Sequence, residues 1–97
     1  MNSIDITKLM VMLEKESLNI IDIRTNYEYL NGHIPTAKNI DKNVLVMYPN
    51  KYLNKEDTYY IYCQSGHSSN NIVNMLNSKG YNTVNIQGGY NNYLLRK

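Results

Sequence analysis

At 97 residues, with 42% apolar and 19% charged side chains, the chain is expected to form one small domain, residues 1–97, around a single core. A formal net charge of +2, spread along the chain without a basic block, gives no reason to expect nucleic acid or a membrane as a partner. The one cysteine excludes an internal disulfide, and no apolar run approaches the length of a membrane span or of a leader's core, so a soluble cytoplasmic protein is the expectation.

Asp5 is a candidate N-cap, and behind it Ile6, Leu9, Met10 and Leu13 recur at helical spacing. "NIIDI", Asn19 to Ile23, reads as a buried strand. Thr25 and Glu28 stand at capping-box spacing ahead of a short helix that Gly32 ends. Lys38 to Ile40 suggests another brief strand, Asp41 to Tyr48 a helical turn, and Pro49 to Asp57 a surface loop. "TYYIY", Thr58 to Tyr62, carries the clearest strand composition; with no basic groove beside them, its tyrosines read as core and rim packing rather than as a stacking platform for bases. Ile72, Val73, Met75 and Leu76 form the apolar face of a helix that stops at Lys79 and Gly80. Thr83 to Ile86 is a last strand, and Gly88 and Gly89 lead into a C-terminal helix. Strands separated by helices predict an α/β fold with a parallel sheet covered on both faces.

Ligands of such a sheet bind beyond the carboxyl ends of its strands, where loops run into helix N-termini. Cys63 sits at that edge, between "TYYIY" and the polar turn Gln64, Ser65, Gly66, His67, Ser68 and Ser69. Unpaired backbone N–H groups and the positive end of a helix favour thiolate over thiol, which would make Cys63 a nucleophile at neutral pH. Gly66 lets the turn adopt a conformation closed to other residues. The bland alternative is an inert cysteine packed at a strand end.

"CQSGHSS", Cys63 to Ser69, resembles the active-site loop of rhodanese-domain sulfurtransferases, in which Cys opens a six-residue turn with Gly fourth. Three further stretches resemble family signatures in the same order: "DIR" (Asp22 to Arg24), "EYLNGHIPTA" (Glu28 to Ala37) and "GGY" (Gly88 to Tyr90). Together they span most of the chain. The resemblance implies a three-layer fold, a mostly parallel five-stranded sheet with helices on both faces; its fifth strand would lie near Ile4, where pattern alone gives no signal. It also implies an enzyme of the thiosulfate sulfurtransferase type. Its Cys63 takes the outer sulfur of thiosulfate, a persulfide or a polysulfide and passes it to cyanide or a thiol, with thioredoxin-like proteins or small thiols as acceptors. Donor binding would fall to Gln64, Ser65, Gly66, His67 and Ser68, with Asp22, Arg24, Glu28 and Ser69 as rim or support. No metal or organic cofactor is implied.

One position departs from the family pattern. Many members carry Arg at the sixth loop position, where a fixed cation helps to hold an anionic donor; here it is Ser68. His67 would supply part of that charge when protonated, or else it is a solvent-facing residue without a role. Arg24 is expected to pair with Glu28 four residues on and hold the loop rim; the alternative is that it faces the donor. His33 is expected to make a structural hydrogen bond that fixes its turn. Two other functions share the thiolate-at-helix logic. A phosphatase or arsenate reductase needs a loop one residue longer that closes with Arg, and Ser69 and Asn70 stand there instead. The other is a non-catalytic module of the same family that binds a partner or senses oxidants; catalytically dead members often lack the cysteine, and Cys63 is present here.

Overall fold

The computed structural model describes residues 2–96 of the chain. Five strands, β1 (Ser3–Ile4), β2 (Asn19–Asp22), β3 (Lys38–Asn39), β4 (Thr58–Tyr62) and β5 (Asn82–Ile86), form one sheet in the order β1-β5-β4-β2-β3. Every neighbouring pair is parallel. Among the described residues the connections carry helices α1 (Ile6–Leu13), α2 (Asn26–Leu30), α3 (Lys42–Met47), α4 (Pro49–Tyr52) and α5 (His67–Ser78), and α6 (Gly89–Arg96) follows β5. The expected α/β architecture is thus the observed one, and "NIIDI" and "TYYIY" lie in the sheet interior as adjacent strands.

Strand side chains alternate between two buried layers, which is why these strands read as near-continuous apolar runs. Ile20, Tyr62, Val84 and Ile86 join Leu9 and Tyr93 from α1 and α6 in one layer. On the opposite face, Ile21, Tyr59, Ile61 and Cys63 join Leu45, Ile72, Val73 and Leu76 from α3 and α5. The single core expected from length is therefore split by the sheet into two.

Local signals account for most helix boundaries. Asp5 caps α1 through Thr7 and Lys8 N–H, and Thr25 and Glu28 form the complete capping box that starts α2. Two stretches differ from expectation. The run from Pro49 to Asp57 is not all loop: Pro49 occupies the first turn of α4, where its missing N–H costs nothing. The remainder closes on Asn54, whose Oδ1 accepts from Glu56 N–H at 3.0 Å and Asp57 N–H at 2.9 Å. β1 is only two residues long and exists through its pairing with Asn85 and Ile86 of β5.

Candidate active site

The register of β2 against β4 sets Asp22 opposite Tyr62, so the residues that follow, Ile23 and Arg24 on one strand and Cys63 on the other, share the carboxyl edge. Beyond Cys63 the chain turns at Gly66, whose φ of 99° lies in the left-handed region, and enters α5 at His67. A Cβ on Gly66 would stand 3.0 Å from Gly88 N. No side chain caps α5, which leaves its first N–H groups for another acceptor. Cys63 Sγ is that acceptor: Gly66 N–H donates to it at 3.1 Å and Ser69 N–H at 3.3 Å. The last loop supports the turn from behind. Tyr90 and Asn91 N–H donate to the Cys63 and Gln64 carbonyls, each at 3.0 Å, and Gly89 lies so close to Cys63 O that a Cβ there would overlap it.

Cys63 is only 8% exposed. Burial pushes its thiol up, but hydrogen bonds from the Ser69 hydroxyl and from the backbone N–H groups of Ser69, Gly66 and Ser65 outweigh it, and the thiol titrates below its ordinary value. Ser69 Oγ lies 3.3 Å from Sγ and 2.6 Å from Asn85 Oδ1. As a thiol, Cys63 donates to Ser69, whose own proton goes to Asn85; as a thiolate, Sγ takes the Ser69 proton instead. A lowered pKa enlarges the thiolate fraction at neutral pH, so the iodoacetamide reaction rate should reach its midpoint at a lower pH than that of a free cysteine, about 8.5. Ser69→Ala removes the hydroxyl donor and should move the midpoint upward, measured by alkylation across a pH series.

A second buried cluster fixes the rim. The Asp22 carboxylate, fully buried, accepts from Arg24 N–H at 2.9 Å, from Arg24 Nε at 3.0 Å and Nη2 at 2.7 Å, and from the Tyr62 hydroxyl at 2.6 Å. The expected Arg24–Glu28 pair is not made. Glu28 is drawn back to Thr25, accepting from its N–H at 3.1 Å and its hydroxyl at 3.0 Å, while Arg24 turns inward to Asp22. From there the guanidinium donates to Gln64 Oε1 at 3.1 Å and to Gly32 O at 2.7 Å, and lies 4.2 Å from the centre of the Tyr90 ring. Burial alone would lower the Arg24 pKa, but the hydrogen bond and charge of Asp22 raise it; burial, then the bond to Asp22, pushes the Tyr62 phenol far above its usual range. Arg24 is a bolt between three segments of the rim.

A cavity of about 190 Å³ opens in front of Cys63, lined also by Ile23, Arg24, Thr25, Glu28, Asp41, Lys42 and Ser68. Of the loop residues expected to meet a donor, Ser68 lines this cavity. Gln64 turns to the rim, held by Arg24 and by its Nε2 donating to Asn91 Oδ1 at 2.7 Å. His67 is exposed, its Nδ1 3.3 Å from Ser65 Oγ, and does not line the cavity. His33 makes the expected structural contact, with Nδ1 2.9 Å from Tyr29 O and its ring stacked on Tyr29. Sequence reasoning missed Tyr62, Asn85, Asp41 and Lys42. Asn85 did leave a signal, since a polar residue amid the buried run "TVNI" needs a partner.

The comparisons with known proteins agree with this geometry. The model of the Rhodanese-like domain family matches residues 5–96. The chain is 37% identical over 76 residues to the Bacillus subtilis protein named "Putative sulfurtransferase YtwF", covering 76% of this chain and 71% of that one. It is 28% identical over 88 residues to thiosulfate sulfurtransferase GlpE of Shewanella oneidensis, covering 90% and 86%. Its fold superposes on the crystal structure of a rhodanese-like domain protein from Staphylococcus aureus with a TM-score of 0.85, at 34% identity over 96% of this chain and 91% of that one. With its sheet order, its cysteine turn and a family match over nearly its whole length, this chain belongs to the rhodanese-like domain family.

Proposed function

We propose that the protein is a sulfurtransferase that carries sulfane sulfur as a persulfide on Cys63. The observation that carries the reading is the arrangement around Sγ: a cysteine held below its ordinary pKa by converging N–H groups, facing a cavity large enough for a small donor. The thiolate attacks the outer sulfur of the donor, the donor's own S–S bond breaks, and sulfite leaves thiosulfate with the bonding pair. Those same donors hold the negative charge of the persulfide, so the loop needs no metal or organic cofactor to stabilise it. The chain has no second cysteine, so the persulfide cannot resolve as an internal disulfide and sulfur passes to an external thiol or to cyanide. Thioredoxin-like proteins and small thiols are the proposed acceptors, and the cytoplasm the proposed compartment. Among the described residues no helix is long and apolar enough to cross a membrane.

The phosphatase or arsenate reductase reading has no support in the loop. Ser69, where those loops close with Arg, is fully buried and turned to Sγ and Asn85, so no cation meets an incoming oxyanion there. The test is turnover. With thiosulfate and cyanide the protein should release thiocyanate and sulfite in equal amounts, and it should not hydrolyse an aryl phosphate. Phosphate release without thiocyanate would reverse the assignment, and neither product would favour a binding or redox-sensing module.

A further inference from the structure

Four residues lining the cavity in front of Cys63 are charged: Arg24, Glu28, Asp41 and Lys42. Arg24 is committed to Asp22, which lies fully buried behind it. Glu28 and Asp41 are engaged by hydrogen bonds, Glu28 with Thr25 and Asp41 with Asn43 N–H at 2.9 Å, yet both carboxylates stay at the mouth. Lys42 is exposed, and among the described residues no carboxylate lies within ion-pair distance of it. Two cations therefore face three carboxylates once Asp22 is counted, a balance that repels a dianion such as thiosulfate. Ser68 brings a hydroxyl to the same cavity but no charge.

We propose that Lys42 determines the specificity of this site for anionic sulfane donors, attracting them against Glu28 and Asp41 and supplying the cation that Ser68 does not. The proposal rests on the sulfur-transfer reading given above. The step served is balanced without an oxidant or reductant: the Cys63 thiolate and the thiosulfate dianion give a Cys63 persulfide anion and a sulfite dianion, one S–S bond forming as another breaks. Lys42 acts on the approach and hold of the donor, before that bond changes.

The expected result for Lys42→Ala is a rise in KM for thiosulfate of roughly three- to tenfold, the range for one exposed charge in high dielectric, with kcat within about twofold. Lys42→Glu should raise KM further, and Lys42→Arg should stay near wild type. Added salt should narrow the gap in KM between wild type and Lys42→Ala, because it screens both the attraction of Lys42 and the repulsion of Glu28 and Asp41. A donor with a cationic body, 2-aminoethyl persulfide, should load the Ala variant at least as well as the wild type. An independent reading uses no sulfur donor. The rate at which Cys63 reacts with anionic iodoacetate, divided by its rate with neutral iodoacetamide, should fall by a similar factor in Lys42→Ala. An unchanged ratio overturns the proposal, as does a lower ratio with an unchanged KM. A lower ratio in a protein whose wild type takes sulfur from no donor would keep the anion-attracting role of Lys42 and end the sulfur-transfer reading.

Discussion

Replacing Asp22 by alanine is expected to cost about 3–5 kcal/mol of folding stability, because it leaves the Arg24 guanidinium buried without its counter-charge. Arg24 is 7% exposed and forms the only salt bridge among the described residues, at 2.7 Å. The same substitution strips the Tyr62 hydroxyl of the acceptor it donates to, while Ile34 N–H still donates to that hydroxyl at 3.0 Å. Against a total stability of about 5–15 kcal/mol for a domain of this size, the loss is a large fraction. Urea unfolding checks it through a fall in midpoint at constant slope. Asp22→Asn keeps the shape and one acceptor oxygen but not the charge, and should fall between wild type and alanine. Because Arg24 also ties Gln64 to Gly32 O, both variants should slow alkylation and sulfur loading at Cys63 as the rim loosens. A loss below about 1 kcal/mol in Asp22→Ala would mean that the pair behaves as an exposed one, with solvent replacing it.

Cys63→Ser should abolish sulfur uptake and turnover while preserving the fold. A serine Oγ can accept from the same Gly66 and Ser69 N–H groups, so the buried donors keep a partner and the stability change should be about 1 kcal/mol or less. Activity falls for a different reason. A hydroxyl is not ionised near neutral pH by these donors, and oxygen cannot carry the sulfane sulfur as a persulfide does. Circular dichroism and the urea midpoint establish that the variant is folded; thiocyanate release then separates lost chemistry from lost structure. Residual turnover in a folded Cys63→Ser would move the sulfur-accepting role to another group.

Much of this arrangement is legible in the chain because it is local. The capping box of Thr25 and Glu28, the N-cap at Asp5 and the strand "TYYIY" are each written within a few consecutive residues, and all form as read. The edge position of Cys63 follows from where that strand ends. What was not legible depends on partners far along the chain. β1 has two residues and no pattern of its own, only its register with β5. Arg24 stands four residues before Glu28 but outside α2, Thr25 claims that carboxylate, and the end of β2 offers Asp22 at shorter range. Asn85 reaches Ser69 only because β5 lies beside β4. Lys42 comes to the mouth of the site through the β3–α3 connection, and its spacing from Cys63 in the chain carries no trace of this.

The most direct test of the account is the mass of the intact protein after incubation with a sulfane donor. Thiosulfate, a polysulfide or a small persulfide should add the mass of one sulfur atom, peptide mapping should place it on Cys63, and cyanide or a thiol should remove it. The adduct should be absent from Cys63→Ser. Wild-type protein that gains no sulfur from any of the three donors, with Cys63 still open to iodoacetamide, would contradict the account.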